Sequence, residues 1–122
     1  MILADSNIVI YSRQPGYDQL RKQLSSREVA ACSVIQIEVL GWHLLEKPDE
    51  AAFEDFFKQA VNYQLDEAII AQSIKLKRLK PGLHLPDAII AATALVHHLE
   101  LWTANAEDFS EIEGLKLHNP VQ

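Results

Sequence analysis

Apolar residues fall into two kinds of run along the chain. Residues 2–4, 29–32 and 101–103 are short and nearly unbroken, too brief for helices and without alternation, which predicts strands buried on both faces. Longer stretches carry helical signals: a segment opened by Asp5-Ser6-Asn7, a polar one over 17–25 after the Pro15-Gly16 turn, and a strongly apolar one from Ser33 to about residue 45. Ser33 with Gln36 resembles a capping box, and Lys47-Pro48 is expected to stop that helix. Residues 49–61 stack Ala52, Phe53, Phe56, Phe57 and Ala60 on one stripe, a packing helix that leads to a short extended connector over 62–65. A helix over 66–80 ends at Pro81-Gly82, and Pro86 occupies the first position of another that runs from Asp87 to about residue 98. A last strand falls near 115–117. Apolar strands alternating with helices predict an α/β fold with a mostly parallel sheet covered on both faces.

Bulk properties narrow this picture only a little. With 122 residues and 48% hydrophobic composition, the chain carries one real core and is too short for two ordinary ones, so residues 1–122 are read as a single domain. The apolar start is broken by Asp5, Ser6 and Asn7 and has neither a basic leader nor a small-residue cleavage site, so no membrane segment and a cytoplasmic location are expected. Cys32, the one cysteine, lies in an apolar run and reads as a small buried thiol. A net charge of −6 argues against a general nucleic-acid coat but leaves room for an acidic metal site, which supplies negative charge itself.

Three carboxylates stand out because each sits at the edge of an apolar element. Asp5 follows the first strand, where open parallel sheets gather function; a plain helix N-cap explains it equally well. Glu38 shares its helix face with Val34, Trp42 and Leu45, and a charge so placed needs a Lys or Arg, a cation, or more solvent than the pattern suggests. Asp87 is the sole charge on the apolar segment 87–96, where the helix macrodipole alone would favour an acid in the first turn. Together they are more telling, since clustered carboxylates repel unless a cation balances them. Hard oxygen donors with few histidines nearby suit Mg²⁺ or Mn²⁺, and such a site is well fitted to phosphodiester hydrolysis by activated water.

The residues also carry a resemblance. Leu3-Ala-Asp-Ser-Asn7 resembles the opening D-[ST]-N signature of PIN domains, and Ser33-Val-Ile-Gln-Ile-Glu38 is similar to their glutamate-bearing second element. Leu85-Pro-Asp-Ala-Ile-Ile-Ala-Ala-Thr93 resembles the third, and Trp102-Thr-Ala-Asn-Ala-Glu-Asp-Phe109 the fourth. Order, spacing and full-chain coverage are those of the short VapC-type toxins of toxin–antitoxin pairs. The resemblance implies a three-layer α/β/α fold with a central, mostly parallel sheet of four to five strands and an Mg²⁺- or Mn²⁺-dependent endoribonuclease. It implies that Asp5 and Asp87 ligate the metal, with Glu38 ligating directly or through water, and that Ser6, flanked by Asn7, orients Asp5 or a bound water. At the fourth element Asn105 stands where many members carry an acid. Asp108 lies three residues on, either compensating or, as the preferred expectation, capping the turn into Phe109. An RNA substrate, a small antitoxin and a homodimer are the partners the resemblance implies.

The densest basic stretch, containing Lys77, Arg78 and Lys80, precedes Asp87, and Arg13 lies just past the first element; these are the candidate RNA contacts, with cationic decoration of a helix end as the plainer explanation. Two other roles fit the same residues: a PIN nuclease that processes RNA or cuts DNA, and a degenerate member that binds without catalysis, for which Asn105 is the only motive. A phosphoacceptor receiver also gathers acids and Mg²⁺, but it expects an acidic pair after the first strand, and here Ser6 follows Asp5.

Overall fold

The computed structural model describes residues 1–121. Five strands, β1 (Ile2–Ala4), β2 (Val29–Cys32), β3 (Val61–Tyr63), β4 (Glu100–Trp102) and β5 (Leu117–His118), form one sheet in the order β3-β2-β1-β4-β5, parallel at every pairing. Six α-helices connect them: α1 (Ser6–Tyr11), α2 (Asp18–Ser25), α3 (Ser33–Leu40), α4 (Lys47–Gln59), α5 (Glu67–Leu79) and α6 (Leu85–His97). A 3-10 turn over Ala106–Phe109 precedes β5. Successive strand residues point to opposite faces, and Ile2, Leu3 and Ala4 are all buried, so helices cover the sheet on both sides. This is the α/β/α arrangement that the alternating pattern predicts.

Small side chains set the packing distance. Ala88, Ala91, Ala92 and Ala94 of α6 are buried to within 1% and let that helix lie close to the core, where Trp102, Phe109, Ile35 and Ile90 supply the bulk. Hydrophobic burial on this scale is the main favourable term of the fold.

The chain winds outward from β1 through β2 to β3, then returns to the other side of β1 to add β4 and β5. The order therefore reverses between β1 and β4. Connections leave in opposite directions at such a switch point and open a crevice beyond the carboxyl ends of the two strands.

Several local expectations are corrected. No capping box forms: the N-cap of α3 is Cys32 with no side-chain bond, and Ser33 is already helical. α3 stops at Leu40, with Gly41 as its C-cap, and does not continue to residue 45; the Gly41 N–H closes the last turn on the Ile37 carbonyl at 2.8 Å, so tightly that a Cβ would lie 2.5 Å from that oxygen. Lys47-Pro48 opens α4 and stops nothing, proline being welcome in a first turn. The connector after α4 is a true edge strand, β3, and the last strand, over Leu117–His118, begins two residues and ends one residue later than expected. Nor is α3 apolar-buried all round: Gln36, Ile37 and Glu38 face outward, Ile37 being 70% exposed.

Candidate active site

β1 delivers Asp5 and β4 delivers Thr103 to the two sides of the switch point, one residue beyond each strand. The Asp5 N–H donates to the Trp102 carbonyl at 2.9 Å, which extends the β1–β4 ladder and locks the carboxylate's position. Its side chain is 4% exposed. The Ser6 N–H donates to Oδ1 at 2.8 Å and the Ser6 hydroxyl lies 3.4 Å from the same oxygen, while Oδ2 receives Thr103 Oγ1–H at 2.8 Å and Asn7 Nδ2–H at 3.5 Å. Thus Asp5 is the N-cap of α1, the plainer of the two explanations offered by sequence, and also the most confined acid of the chain.

A second layer holds this corner. Asn7 Oδ1 accepts from the Ala104 N–H at 3.1 Å, Thr103 Oγ1 accepts from the Asn105 N–H at 3.1 Å, and Asn119 Nδ2 donates to the Ala104 carbonyl at 3.2 Å. Thr103, fully buried, is the residue that sequence reasoning passed over. A hydroxyl at the end of an otherwise apolar strand was the available signal.

Glu38 and Asp87 approach the crevice from α3 and from the first turn of α6, and their electrostatics show that they share one field with Asp5. Burial pushes the Asp5 carboxyl above the usual carboxylate range, its hydrogen bonds from Thr103 and Ser6 pull it part of the way back, and the Asp108 charge adds to the rise. Glu38 is also raised, first by desolvation on its inward side and then by Asp5 and Asp87, against a favourable contribution from the Ser6 hydroxyl. Asp87 is raised by desolvation, then by Asp5 and Asp108, and His84 at the head of α6 offsets part of this.

The fourth element separates its two candidates. Asp108 lies inside the 3-10 turn and caps nothing, contrary to the preferred expectation; it is an exposed acid whose charge is felt at both Asp5 and Asp87. Asn105, at the head of that turn, is exposed and its side chain makes no capping bond.

Among the described residues no three Asp, Glu, His or Cys side chains close into a tight metal cage. The donor set nonetheless fits Mg²⁺ or Mn²⁺: it is all oxygen, and its members repel one another. Mg²⁺ typically keeps several waters and takes only one or two carboxylates, so an open arrangement suits it better than a dedicated cage. An ionised carboxylate offers about four acceptor sites, which leaves Asp5 capacity beyond its close bonds from Ser6 and Thr103.

Three of the four cations expected to meet RNA are engaged within the chain. Arg13 pairs with Asp49 at 3.5 Å, Lys80 with Glu111 at 3.6 Å, and Lys77 Nζ donates to the carbonyls of Pro81, at 3.0 Å, and Leu83. Arg78 lies along an apolar cleft between α5 and α6.

A doubly covered parallel sheet whose acids share one field at Asp5, beside the switch point, defines a three-layer α/β class with an acidic crevice. Residues 2–115 match the PIN domain family, and the chain belongs to it. Among solved structures, it is similar over 100% of its length and 99% of the other chain to a toxin–antitoxin complex from Klebsiella pneumoniae, at 28% identity and a TM-score of 0.79. VapBC2 from Rickettsia felis, bound to a DNA fragment from its promoter, gives 18% identity, 98% coverage of both chains and a TM-score of 0.79. VapBC-1 from nontypeable Haemophilus influenzae gives 21% identity with the same coverage and TM-score. No curated protein matches the chain. No helix among the described residues is long and apolar enough to cross a membrane.

Proposed function

We propose that this PIN domain is an endoribonuclease that hydrolyses RNA phosphodiesters with Mg²⁺ or Mn²⁺, and that it is the toxin of a VapC-type pair acting in the cytoplasm. The observation that carries the reading is the set of acids from separate elements whose charges meet at Asp5, over the one switch point of the sheet. Asp5 and Asp87 hold the cation, and Glu38 joins them directly or through water. When bound, the cation polarises the phosphodiester, lowers the pKa of an attacking water and stabilises the leaving oxygen.

The chain's own groups do the rest. Thr103 and Ser6 favour the ionised form of Asp5 against its burial and fix its orientation, because both donate to the charged form. Asp108 serves as the fourth acid, while Asn105 shapes the turn that presents it. Glu38 is the group placed to take a proton from water, its raised pKa bringing it closer to working pH. Exposed ion pairs contribute only about 0–1 kcal/mol, so Arg13 and Lys80 exchange their carboxylates for phosphates when RNA arrives. The toxin role rests on likeness to complexes that are themselves toxin–antitoxin pairs, and a small antitoxin is the partner it calls for.

Cleavage of structured RNAs with and without Mg²⁺ or Mn²⁺, comparing the parent with Asp5→Asn and Asp87→Asn, tests the proposal. Metal-dependent cutting by the parent alone supports it. Equal cutting by all three removes the site assignment, and no cutting under any condition favours a binding role.

A further inference from the structure

One cavity borders the acid crevice without belonging to it. It lies between the 3-10 turn and the residue after β5, holds ≈ 240 Å³, and is lined by Ala104, Asn105, Ala106, Glu107, Asp108 and Asn119. Its first wall residue, Ala104, follows Thr103, whose hydroxyl donates to Asp5, and the Asp108 charge in its wall is felt at both Asp5 and Asp87. A group seated here is therefore a close neighbour of whatever reacts at Asp5. Pockets for whole small molecules run to about 300–1,000 Å³, so this one suits a single flat ring system.

Two side chains give the cavity its polarity. The Asn119 amide is fixed at both of its polar atoms: Nδ2 donates to the Ala104 carbonyl at 3.2 Å, and Oδ1 accepts the Val121 N–H at 3.1 Å. An amide nitrogen carries two hydrogens, so one N–H of Asn119 stays available in a set orientation. Glu107 is exposed and, among the described residues, forms no ion pair. Ionised, it can only accept hydrogen bonds. A carboxylate along the path of an RNA repels phosphate, and the part of a nucleotide that complements it is a base edge carrying two adjacent N–H groups. Ala104 and Ala106 add methyl groups to the wall.

We propose that this cavity reads an unpaired guanine next to the phosphate that is cut. The guanine N1–H and N2–H donate side by side to the Glu107 carboxylate, while O6 accepts from Asn119 Nδ2. Adenine presents the reverse edge, its N6–H toward the Asn119 donor and its bare N1 toward the carboxylate. Cytosine meets the same mismatch, so both are rejected by groups left unpaired or repelling. Uracil keeps O4 and N3–H but sets its O2 against the carboxylate. The edge being read is the one that base pairing uses, so a paired guanine does not enter. The phosphate is the one hydrolysed in the nuclease reading, on which the proposal rests, whereas the base preference is the cavity's own and can be measured without cutting.

Cleavage of an unstructured RNA pool of randomised sequence, with the cuts mapped by sequencing, should show guanine favoured over adenine by about tenfold or more at one fixed position beside the cut. Glu107→Gln replaces two acceptors by one acceptor and one donor, the match for adenine N6–H and N1, and should lower the guanine-to-adenine ratio by about tenfold. Glu113→Gln, which removes an exposed charge outside the cavity, should keep the parent's ratio. In parallel, short labelled oligonucleotides that differ only in one guanine or adenine are titrated with the protein at low salt without divalent cation. The parent should bind the guanine form more tightly, and Glu107→Gln should lose the difference. Cutting without guanine enrichment, or an enrichment that Glu107→Gln leaves unchanged, overturns the proposal and leaves the nuclease reading standing. A chain that cuts nothing removes the nuclease reading, and the titration then decides: equal binding of the two oligonucleotides, or a discrimination that Glu107→Gln does not touch, overturns the guanine cavity as well.

Discussion

Asp5 is 4% exposed at the seam of β1 and β4 with four donor groups around it, whereas Glu38 stands on the outward side of α3 with the Ser6 hydroxyl as its one donor against the charges of Asp5 and Asp87. Both carboxyls are raised, but the balance differs. At Asp5 burial is opposed by several fixed hydrogen bonds; at Glu38, which is exposed, it is opposed by the Ser6 hydroxyl alone. In the proposed reaction the difference divides the labour: the inner acid, with one geometry, would set the position of a cation, while the outer one would be free to move a proton.

The largest effects should come from the inner acid. Asp5→Asn keeps an oxygen for the Ser6 N–H and presents its amide to Thr103, whose hydroxyl can turn to accept. Folding stability without metal should therefore stay within about 1 kcal/mol of the parent or rise, since a buried charge has been removed. Cleavage should nevertheless fall by about 1000-fold, the scale of several kcal/mol of lost charge stabilisation. Thermal melts beside rate assays check both, and a variant that loses stability in step with activity would show that Asp5 is mainly structural.

Thr103→Val comes next. It removes the closest donor to Oδ2 and strands the Asn105 N–H, a loss of about 1–3 kcal/mol in stability for buried groups left unpaired. Activity should fall by about 10–100-fold, as when a residue orienting a ligand is lost. Because the Thr103 bond lowers the Asp5 pKa, its loss should also carry the acid limb of the pH–activity profile upward, and Thr103→Ser should restore the parent profile. An unmoved limb in the valine variant would separate Thr103 from the chemistry.

The cluster as a whole makes a pH prediction. Asp5, Glu38 and Asp87 are all raised in the folded chain, so between their ordinary and folded pKa values the native state holds more protons than the unfolded one, and metal-free stability falls as pH rises through that window. A cation relieves the same repulsion. The increase in Tm on adding Mg²⁺ or Mn²⁺ should then be absent at a pH below the ordinary carboxylate range and grow as pH climbs above it, a readout independent of cleavage. A shift of equal size at all pH values would place the cation elsewhere.

Much of this contrast was legible in the sequence because strand ends are. Short apolar runs 2–4 and 29–32 became β1 and β2 without change, and an acid directly after the first of them could only stand at the sheet's edge. Helix ends were harder. α3 ends with Gly41 as its C-cap, which apolar spacing does not encode, and so Glu38 was read on a buried face when it stands at the rim. Thr103 was hidden for the opposite reason: inside an apolar run a threonine reads as one more β-former, and only the long-range pairing of β1 with β4 gives its hydroxyl an acid to meet.

The smallest effects should separate the two candidates at the fourth element. Asp108 raises both Asp5 and Asp87 by its charge, so Asp108→Asn should lower both toward their ordinary values and carry the acid limb of activity downward, opposite to Thr103→Val. Its rate should drop by about tenfold at neutral pH if the fourth acid helps to hold the cation. Asn105→Ala removes an exposed amide with no capping bond while keeping the backbone N–H that Thr103 accepts, and should stay within about threefold of the parent. The reverse pattern, a silent Asp108→Asn and a damaging Asn105→Ala, would make the asparagine oxygen the ligand and leave Asp108 as a surface charge that merely shares the field.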